Sequence, residues 1–339
     1  MVVSGKSRLR EQFEEQGFLK VEGLLDPTNV LDPVIEEYKG VLDRYCERLY
    51  QDGELSSKYE GLSFEDRFLK VWQELGYQPK GFDFSLPFKG VTEDTPFWTG
   101  PAVFNALTNT ALLDVVEELI GPEIYSNPVQ HVRIKPPEKY LPKNEEGLPQ
   151  LGATQWHQDH GVVTEEADNT NMVTAWFSLT DAPVECGPLE VVPYSHREGL
   201  LTHCLNYDNG PGNHSMVKGT RQIPQKLFEY QNKIPLPTKR GDVVFLHKET
   251  VHGSLSNISE RTRWSFDLRY NPIGQSTGRE EFPGFVARSA SNPVSELHDA
   301  KAWEQMWIDC RTRMSKINQG ANEDVKFGRW AEGHPDCEV

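Results

Sequence analysis

Trp156-His157-Gln158-Asp159-His160 places a histidine and an aspartate two residues apart in a segment, Thr154 to Asp159, that reads as a β-strand. On an extended strand successive side chains alternate faces, so His157 and Asp159 point the same way, about 7 Å apart along the strand. Gln158 and His160 then point to the opposite face. One imidazole and one carboxylate side by side are two parts of a facial two-histidine, one-carboxylate set, which leaves the other metal face open and suits non-haem Fe(II). The best third ligand is His252, in Val251-His252-Gly253-Ser254. It follows the buried run Val243-Val244-Phe245-Leu246 and the turn Lys248-Glu249-Thr250, and Gly253 lets the backbone approach another group closely. His247, which closes that strand, is the competing candidate and reads as a structural histidine. A His-x-Asp tripeptide alone carries little, because the same pair also serves as a structural partner set at strand edges.

Outward from this stretch, the chain is β-rich. Val129 to Lys135, Met172 to Leu179, Leu189 to Val192, Asp242 to Leu246 and Arg263 to Tyr270 are short runs of β-branched and aromatic residues separated by turn signals. No helical pattern alternates with them, which argues against a parallel sheet and for an antiparallel jelly roll. The chain before this region is mostly helical. Helices are expected over Ser7 to Gln16, from Asp32-Pro33 to Leu49 with apolar residues at helical spacing, over 62–77, and from Thr108 to a stop at Gly121-Pro122. Residues 78–101 and 138–152 read as irregular. Residues 199–240 form a lid-like insertion with one expected helix near Gln225 to Gln231. Residues 271–294 read as irregular, Ser295 to Met314 as a terminal helix, and the remainder as a polar tail. The fold class is therefore α+β with a mainly β core: a double-stranded β-helix, or cupin-like jelly roll, with a helical N-terminal part and a C-terminal helix. The expected organisation is a helical part over 1–124, a core over 125–275 and a trailing segment over 276–339, in one structural domain.

Two strands divide by face. Trp264, Phe266, Leu268 and Tyr270 share one side of their strand, and Arg263, Ser265, Asp267 and Arg269 share the other. A polar face of this kind either lines a cavity or meets water at a sheet edge. In a cavity, arginine grips a carboxylate through two parallel hydrogen bonds, a geometry that lysine does not match. Thr174, Trp176 and Ser178 likewise lie opposite Val173, Ala175, Phe177 and Leu179, and Trp176 either walls a pocket or joins the core.

Composition bounds the partners. The 339 residues carry 35 Lys and Arg against 51 Asp and Glu, a net charge of −16. That balance argues against nucleic-acid and anionic-membrane partners, both of which call for basic patches. No apolar run approaches the ~18 residues of a membrane span, and the N-terminus lacks the apolar segment of a signal peptide. The five cysteines are scattered without a CxxC pair, which predicts reduced thiols and a cytoplasmic protein.

Taken together, Trp-His-Gln-Asp at 156–159, Ala-Trp-Phe-Ser-Leu-Thr-Asp at 175–181, Gly-Pro-Leu-Glu-Val-Val-Pro-Tyr-Ser-His at 187–196, and His-Gly-Ser at 252–254 followed by Asn257, Ser259 and Arg263 resemble the phytanoyl-CoA dioxygenase family of Fe(II)- and 2-oxoglutarate-dependent oxygenases. The resemblance covers roughly residues 10–275. It implies that His157, Asp159 and His252 ligate iron. It implies further that Arg263, eleven residues after His252, holds the distal carboxylate of 2-oxoglutarate with help from Ser254. Lys135 matches a basic position near the cosubstrate, and Trp176 an aromatic near the site. Gln155 and Gln158 flank the ligands and, with Arg269, are candidates for the substrate pocket.

The implied reaction consumes O2 and 2-oxoglutarate, releases succinate and carbon dioxide, and oxidises a small organic substrate. Hydroxylation is the usual result, with desaturation, cyclisation and epimerisation as variants. Asp159 argues against the halogenating relatives, which lack that carboxylate. No basic cluster suits the phosphates of coenzyme A. The competing functions are a jelly-roll binding module without turnover and a cupin-like metal hydrolase or isomerase. Neither accounts for Arg263 beside an intact ligand set.

Overall fold

The computed structural model describes residues 8–87, 89–143, 147, 149–205, 207, 221–319, 329–330 and 333–338. The helices are α1 (Arg8–Gln16), α2 (Asp32–Gln51), α3 (Phe64–Leu75), α4 (Pro101–Leu107), α5 (Thr110–Ile120) and α6 (Ala300–Gln319). The strands are β1 (Phe18–Val21), β2 (Glu123–Lys135), β3 (Thr154–His157), β4 (Val173–Ser178), β5 (Leu189–Val191), β6 (Cys204–Leu205), β7 (Arg221–Gln222), β8 (Ile234–Leu236), β9 (Val243–His247), β10 (His252–Ser254), β11 (Arg263–Pro272) and β12 (Phe285–Ser289).

Two antiparallel sheets form a jelly roll. The larger runs β1-β9-β4-β11-β2-β12 and the smaller β3-β10-β5-β8, with β6 and β7 pairing separately. The sheets meet through Phe18, Trp176, Val244 and Leu246 from one and Leu189, Val191 and Leu236 from the other, which form one apolar cluster. The outer face of the large sheet is covered by the helices. Trp264 of β11 stacks on Phe64 of α3 at 4.6 Å and meets Tyr38 of α2 edge-on at 4.9 Å. Phe266 packs on Phe84 at 5.3 Å, in the segment between α3 and α4. The apolar alternation of β4 and β11 is thus buried by α2, α3 and the aromatic segment after them. This leaves the polar faces of the same strands turned toward the small sheet.

The helix boundaries follow local chemistry. Asp26 accepts hydrogen bonds from the Thr28 and Asn29 amides and starts the turn that leads into α2. Ser63 caps α3 through the Asp66 amide, and Asn109 caps α5 through Leu112.

Several expectations are corrected. The strand carrying His157 ends there, and Asp159 opens a 3-10 turn, Asp159–Val162. Residues 225–231 hold a single 3-10 turn, Gln225–Leu227, because Pro224 precedes it and Phe228 leaves helical geometry. The stretch read as irregular after Tyr270 contains β12, which pairs with the first residues of β2. The helix α4 fills the gap between the irregular connection expected over 78–101 and the helix expected from Thr108, starting at Pro101. Ser295 belongs to a 3-10 turn, Pro293–Ser295, so the terminal helix begins later and runs further than expected.

The thiols are not all reduced: Cys204 and Cys337 form a disulfide, while Cys46, Cys186 and Cys310 are free and buried. The partners lie 133 residues apart, and their spacing in sequence gives no sign of the meeting. Most of the 199–220 stretch of the expected lid lies outside the described residues. No helix among the described residues is long and apolar enough to cross a membrane.

Candidate active site

The centre of the site is built by three short segments. His157 ends β3, Asp159 opens the next turn, and His252 starts β10, directly opposite His157 in the β3–β10 register. Gly253 is needed between them: a Cβ there would lie 2.7 Å from the Thr154 carbonyl oxygen, so a larger residue would force the strands apart. His157 Nε2 and His252 Nε2 each lie 3.9 Å from Asp159 Oδ1. One ligand atom from each residue falls within 4.8 Å of the others, and among the described residues this is the one such cluster of His, Cys, Asp and Glu.

The histidines are pre-oriented. His157 Nδ1–H donates to the Gln155 carbonyl at 2.7 Å, and His252 Nδ1–H donates to the Thr250 carbonyl at 2.9 Å. A carbonyl only accepts, so each proton sits on Nδ1 and each Nε2 lone pair faces the centre, the arrangement that metal-ligating histidines require. Burial, and then the neighbouring His252, push the His157 imidazole down to about 4, so it is neutral near pH 7. Asp159 is fully buried. Burial alone would raise its carboxyl, but the Arg269 guanidinium, the two imidazoles and the Thr174 hydroxyl together hold it well below the usual carboxylate range. Arg269 donates to Oδ1 and Thr174 to Oδ2. The donor set is therefore two imidazoles that each turn Nε2 to the centre and one ionised carboxylate, which fits a divalent transition metal with an open face.

A second cluster lies along the inward face of the large sheet. Arg263 of β11 and Lys135 of β2 are direct partners in the strand register, and both are buried. Lys135 Nζ donates to Ser254 Oγ at 2.6 Å and to the Leu255 carbonyl at 3.0 Å. Ser254 Oγ in turn donates to Thr154 Oγ1 at 2.8 Å. Arg263 Nη1 donates to the Gly187 carbonyl at 2.8 Å, its guanidinium lies 5.5 Å from the Trp176 ring, and its Nε has no partner. Burial and the mutual proximity of the cations push Lys135 well below its usual value, while burial and then Arg133 lower Arg263 to about 10. Among the described residues neither cation is within ion-pair distance of a carboxylate. Two buried cations without an anion are costly, and an incoming carboxylate would relieve that cost. Asn257 fixes the loop between β10 and β11 by donating to the Lys135 and Arg261 carbonyls at 2.7 and 2.8 Å.

The polar face of β11 thus lines the interior: β11 is a central strand, flanked by β4 and β2. Gln155 is buried with both amide atoms unpartnered, and Ser265 Oγ is also buried and unpartnered. Gln158 is fully engaged elsewhere: its amide nitrogen donates to the Gly199 and Glu249 carbonyls, and its oxygen accepts from the Leu201 amide. Arg269 is held by Asp159 and the Val129 carbonyl. His247 stands apart from the centre, against Phe13 and His196. Thr174 and Thr154 were not singled out from sequence, although Thr174 shares the strand face on which Trp176 was noticed. His203 and Trp330, which brace the ligand turn from behind, carried no sequence signal.

The family model for phytanoyl-CoA dioxygenase (PhyH) matches residues 13–265. The chain is 24% identical over 270 residues to phytanoyl-CoA dioxygenase domain-containing protein 1 of Rattus norvegicus, covering 76% of this chain and 86% of that one. It is 27% identical over 112 residues to a phytanoyl-CoA dioxygenase of Arabidopsis thaliana, covering 33% of this chain and 36% of that one. Among solved structures, the non-haem monooxygenase ThoJ in its apo form shares the fold with a TM-score of 0.54 at 17% identity, covering 92% of this chain and 99% of ThoJ. Jelly roll and ligand triad together define an enzyme of the non-haem iron, 2-oxoglutarate oxygenase type. The chain belongs to the phytanoyl-CoA dioxygenase family.

Proposed function

We propose that the protein couples the oxidative decarboxylation of 2-oxoglutarate to oxidation of a C–H bond in a small organic molecule, with hydroxylation as the outcome. The observation that carries this reading is the pairing of an open-faced triad on the small sheet with Arg263 and Lys135, buried on the inward face of the large sheet and without a carboxylate partner among the described residues. A structural metal site would need the triad alone. A cupin-like hydrolase or isomerase has no use for Arg263 and Lys135.

His157, Asp159 and His252 would hold Fe(II), and Arg263, Lys135 and Ser254 would hold the distal carboxylate of 2-oxoglutarate. With O2, the bound iron and cosubstrate supply the oxidising power, leaving succinate and carbon dioxide. The chain's own work is orientation. The Gln155 and Thr250 carbonyls lock the two imidazoles, and Arg269 and Thr174 keep Asp159 ionised and fixed. Trp176 lies against the Arg263 guanidinium and shields it from water, which strengthens a charge-assisted bond to a carboxylate. Gln155 and Ser265 leave polar atoms unpaired and are the groups available to orient a polar substrate. Asp159 occupies the position that a halide would need, which favours oxygen insertion over halogenation.

The test is succinate formation from 2-oxoglutarate by iron-loaded enzyme across a panel of small polar metabolites. The reading requires a substrate that raises succinate release and emerges one oxygen atom heavier. A product of unchanged mass, or one lighter by two hydrogens, would replace hydroxylation by epimerisation or by desaturation or cyclisation. Succinate formation absent under every condition, with iron bound, would contradict the oxygenase reading itself.

A further inference from the structure

The Asp159–Val162 turn is held from behind by a segment that lies far away in sequence. Gln158 stands between His157 at the end of β3 and Asp159 at the start of the turn, and its backbone N–H donates to His203 Nε2 at 3.0 Å. His203 Nδ1–H donates to the Leu201 carbonyl at 2.9 Å, which fixes the tautomer and leaves Nε2 as the acceptor. The His203 ring is stacked under Trp330, 5.0 Å between centroids. Trp330 Nε1–H reaches past it to the Gly161 carbonyl at 2.7 Å. The fit leaves no room at Gly161, where a Cβ would lie 2.3 Å from the His203 ring. Arg329 continues the brace, donating to the Val163 and Thr164 carbonyls at 3.1 and 3.0 Å and pairing with Asp168 at 2.6 Å.

Beyond Trp330, the described tail has one 3-10 turn, Pro335–Cys337, and few other attachments. Thr202 Oγ1 donates to Asp336 at 2.7 Å, Lys226 donates to the Glu338 carbonyl at 2.7 Å, and Cys337 is joined to Cys204, immediately after His203. A terminal segment held by scattered side-chain contacts, among them the hydrogen bond from Arg221 to the Trp330 carbonyl at 3.1 Å, lies toward the low-stability end of a fold, where a covalent tie adds to keeping it docked.

We propose that the Cys204–Cys337 disulfide clamps the C-terminal segment onto the ligand turn, with His203 as the positioning residue, so that reduction loosens the turn and weakens metal capture. A dithiol supplies the two electrons and two protons that convert the disulfide to two thiols, and is itself closed to a disulfide. Cys337 is partly exposed, so a reductant reaches the disulfide, whereas the free cysteines Cys46, Cys186 and Cys310 are buried. Once released, Trp330 and Arg329 take away three backbone contacts, at Gly161, Val163 and Thr164, and the Gln158 amide's bond to His203 loses the ring stacked on its acceptor. The consequence for metal binding rests on the functional reading above; the consequence for the turn does not.

The experiment uses the full chain, air-oxidised or treated with dithiothreitol. Alkylation after denaturation should add three groups to the oxidised protein, one for each free cysteine, and five after reduction. Amide exchange is then followed over residues 158–164, with β4 as the internal reference. Reduction should speed exchange in the turn roughly tenfold and leave β4 unchanged. Cys337→Ser without dithiothreitol should reproduce the fast exchange and no longer respond to reductant. Trp330→Ala should also speed the turn with the disulfide intact, reduction then adding only the loss of the Arg329 contacts, and in His203→Ala the added effect of Trp330→Ala should shrink to the loss of its Gly161 contact. Anaerobic Fe(II) affinity should fall about tenfold on reduction, the usual cost of losing outer support for a ligand. Five adducts without reductant, or turn exchange unchanged by reduction, would overturn the proposal. If the oxidised protein bound no Fe(II), the functional reading would fail while the exchange result still decided the clamp.

Discussion

The two faces of β11 lie one residue apart and do opposite things. On the outer face, Trp264, Phe266, Leu268 and Tyr270 are fully buried against helices and aromatic side chains, with the Trp264 indole Nε1 the one polar side-chain atom of the four that lacks a partner. On the inner face, Arg263 and Ser265 are equally buried yet carry polar atoms with no partner. Burial that is matched by contacts stabilises a fold. Burial of unmatched polar groups costs stability, and it marks where a ligand completes the structure.

The largest expected effects separate those faces. Trp264→Ala should cost about 3–5 kcal/mol in urea unfolding, because it removes the ring stacked between α2 and α3. Arg263→Ala should leave stability unchanged or higher, while abolishing capture of 2-oxoglutarate. Equal losses in the two variants would break the contrast.

Arg269 shares the inner face but has a partner, and it sharpens the comparison. In metal-free protein Arg269→Leu leaves Asp159 buried without its cation, which should cost ~3–5 kcal/mol. Fe(II), added anaerobically, should recover part of that loss, so the difference in Tm between variant and wild type should narrow with metal. A variant as stable as wild type without metal would show that Asp159 does not need the guanidinium.

The smallest effect is graded with pH. His157 and His247 are lowered to about 4, each chiefly by burial, from the ordinary 6.5. Between these values the unfolded chain binds more protons than the folded one, so stability falls as pH drops from about 6.5 toward 4. Each histidine should contribute up to about 1.4 kcal/mol per pH unit in that window. Asp159, also depressed, acts in the same direction at lower pH. A flat stability profile from pH 6.5 to 4.5 in metal-free protein would contradict the burial of these rings.

Parts of this were legible in the sequence. The alternation of β11 reported both faces, because a period of two is a local property of the chain. His157, Asp159 and His252 were legible as a set, although the stated reason was incomplete. The period-of-two argument needs a strand through Asp159, whereas the strand stops at His157 and the following 3-10 turn brings the carboxylate inward. The bracing of that turn was not legible at all. His203 and Trp330 are 127 residues apart (330 − 203), and a contact of that span leaves no periodic trace. The Cys204–Cys337 pair was invisible for the same reason. Gln158 misled because adjacency to two ligands says nothing about which way its amide turns; the structure ties it to the Gly199, Leu201 and Glu249 backbone.

The central claim is that the triad captures iron and the buried cations capture the cosubstrate. Anaerobic addition of Fe(II) and then 2-oxoglutarate, to wild type and to Arg263→Ala, tests it most directly through the weak visible charge-transfer band of the chelated complex. The account predicts a band in wild type that is lost or much weakened in the variant. Iron binding without a band in wild type, or a band of equal strength and equal 2-oxoglutarate affinity in the variant, would contradict it.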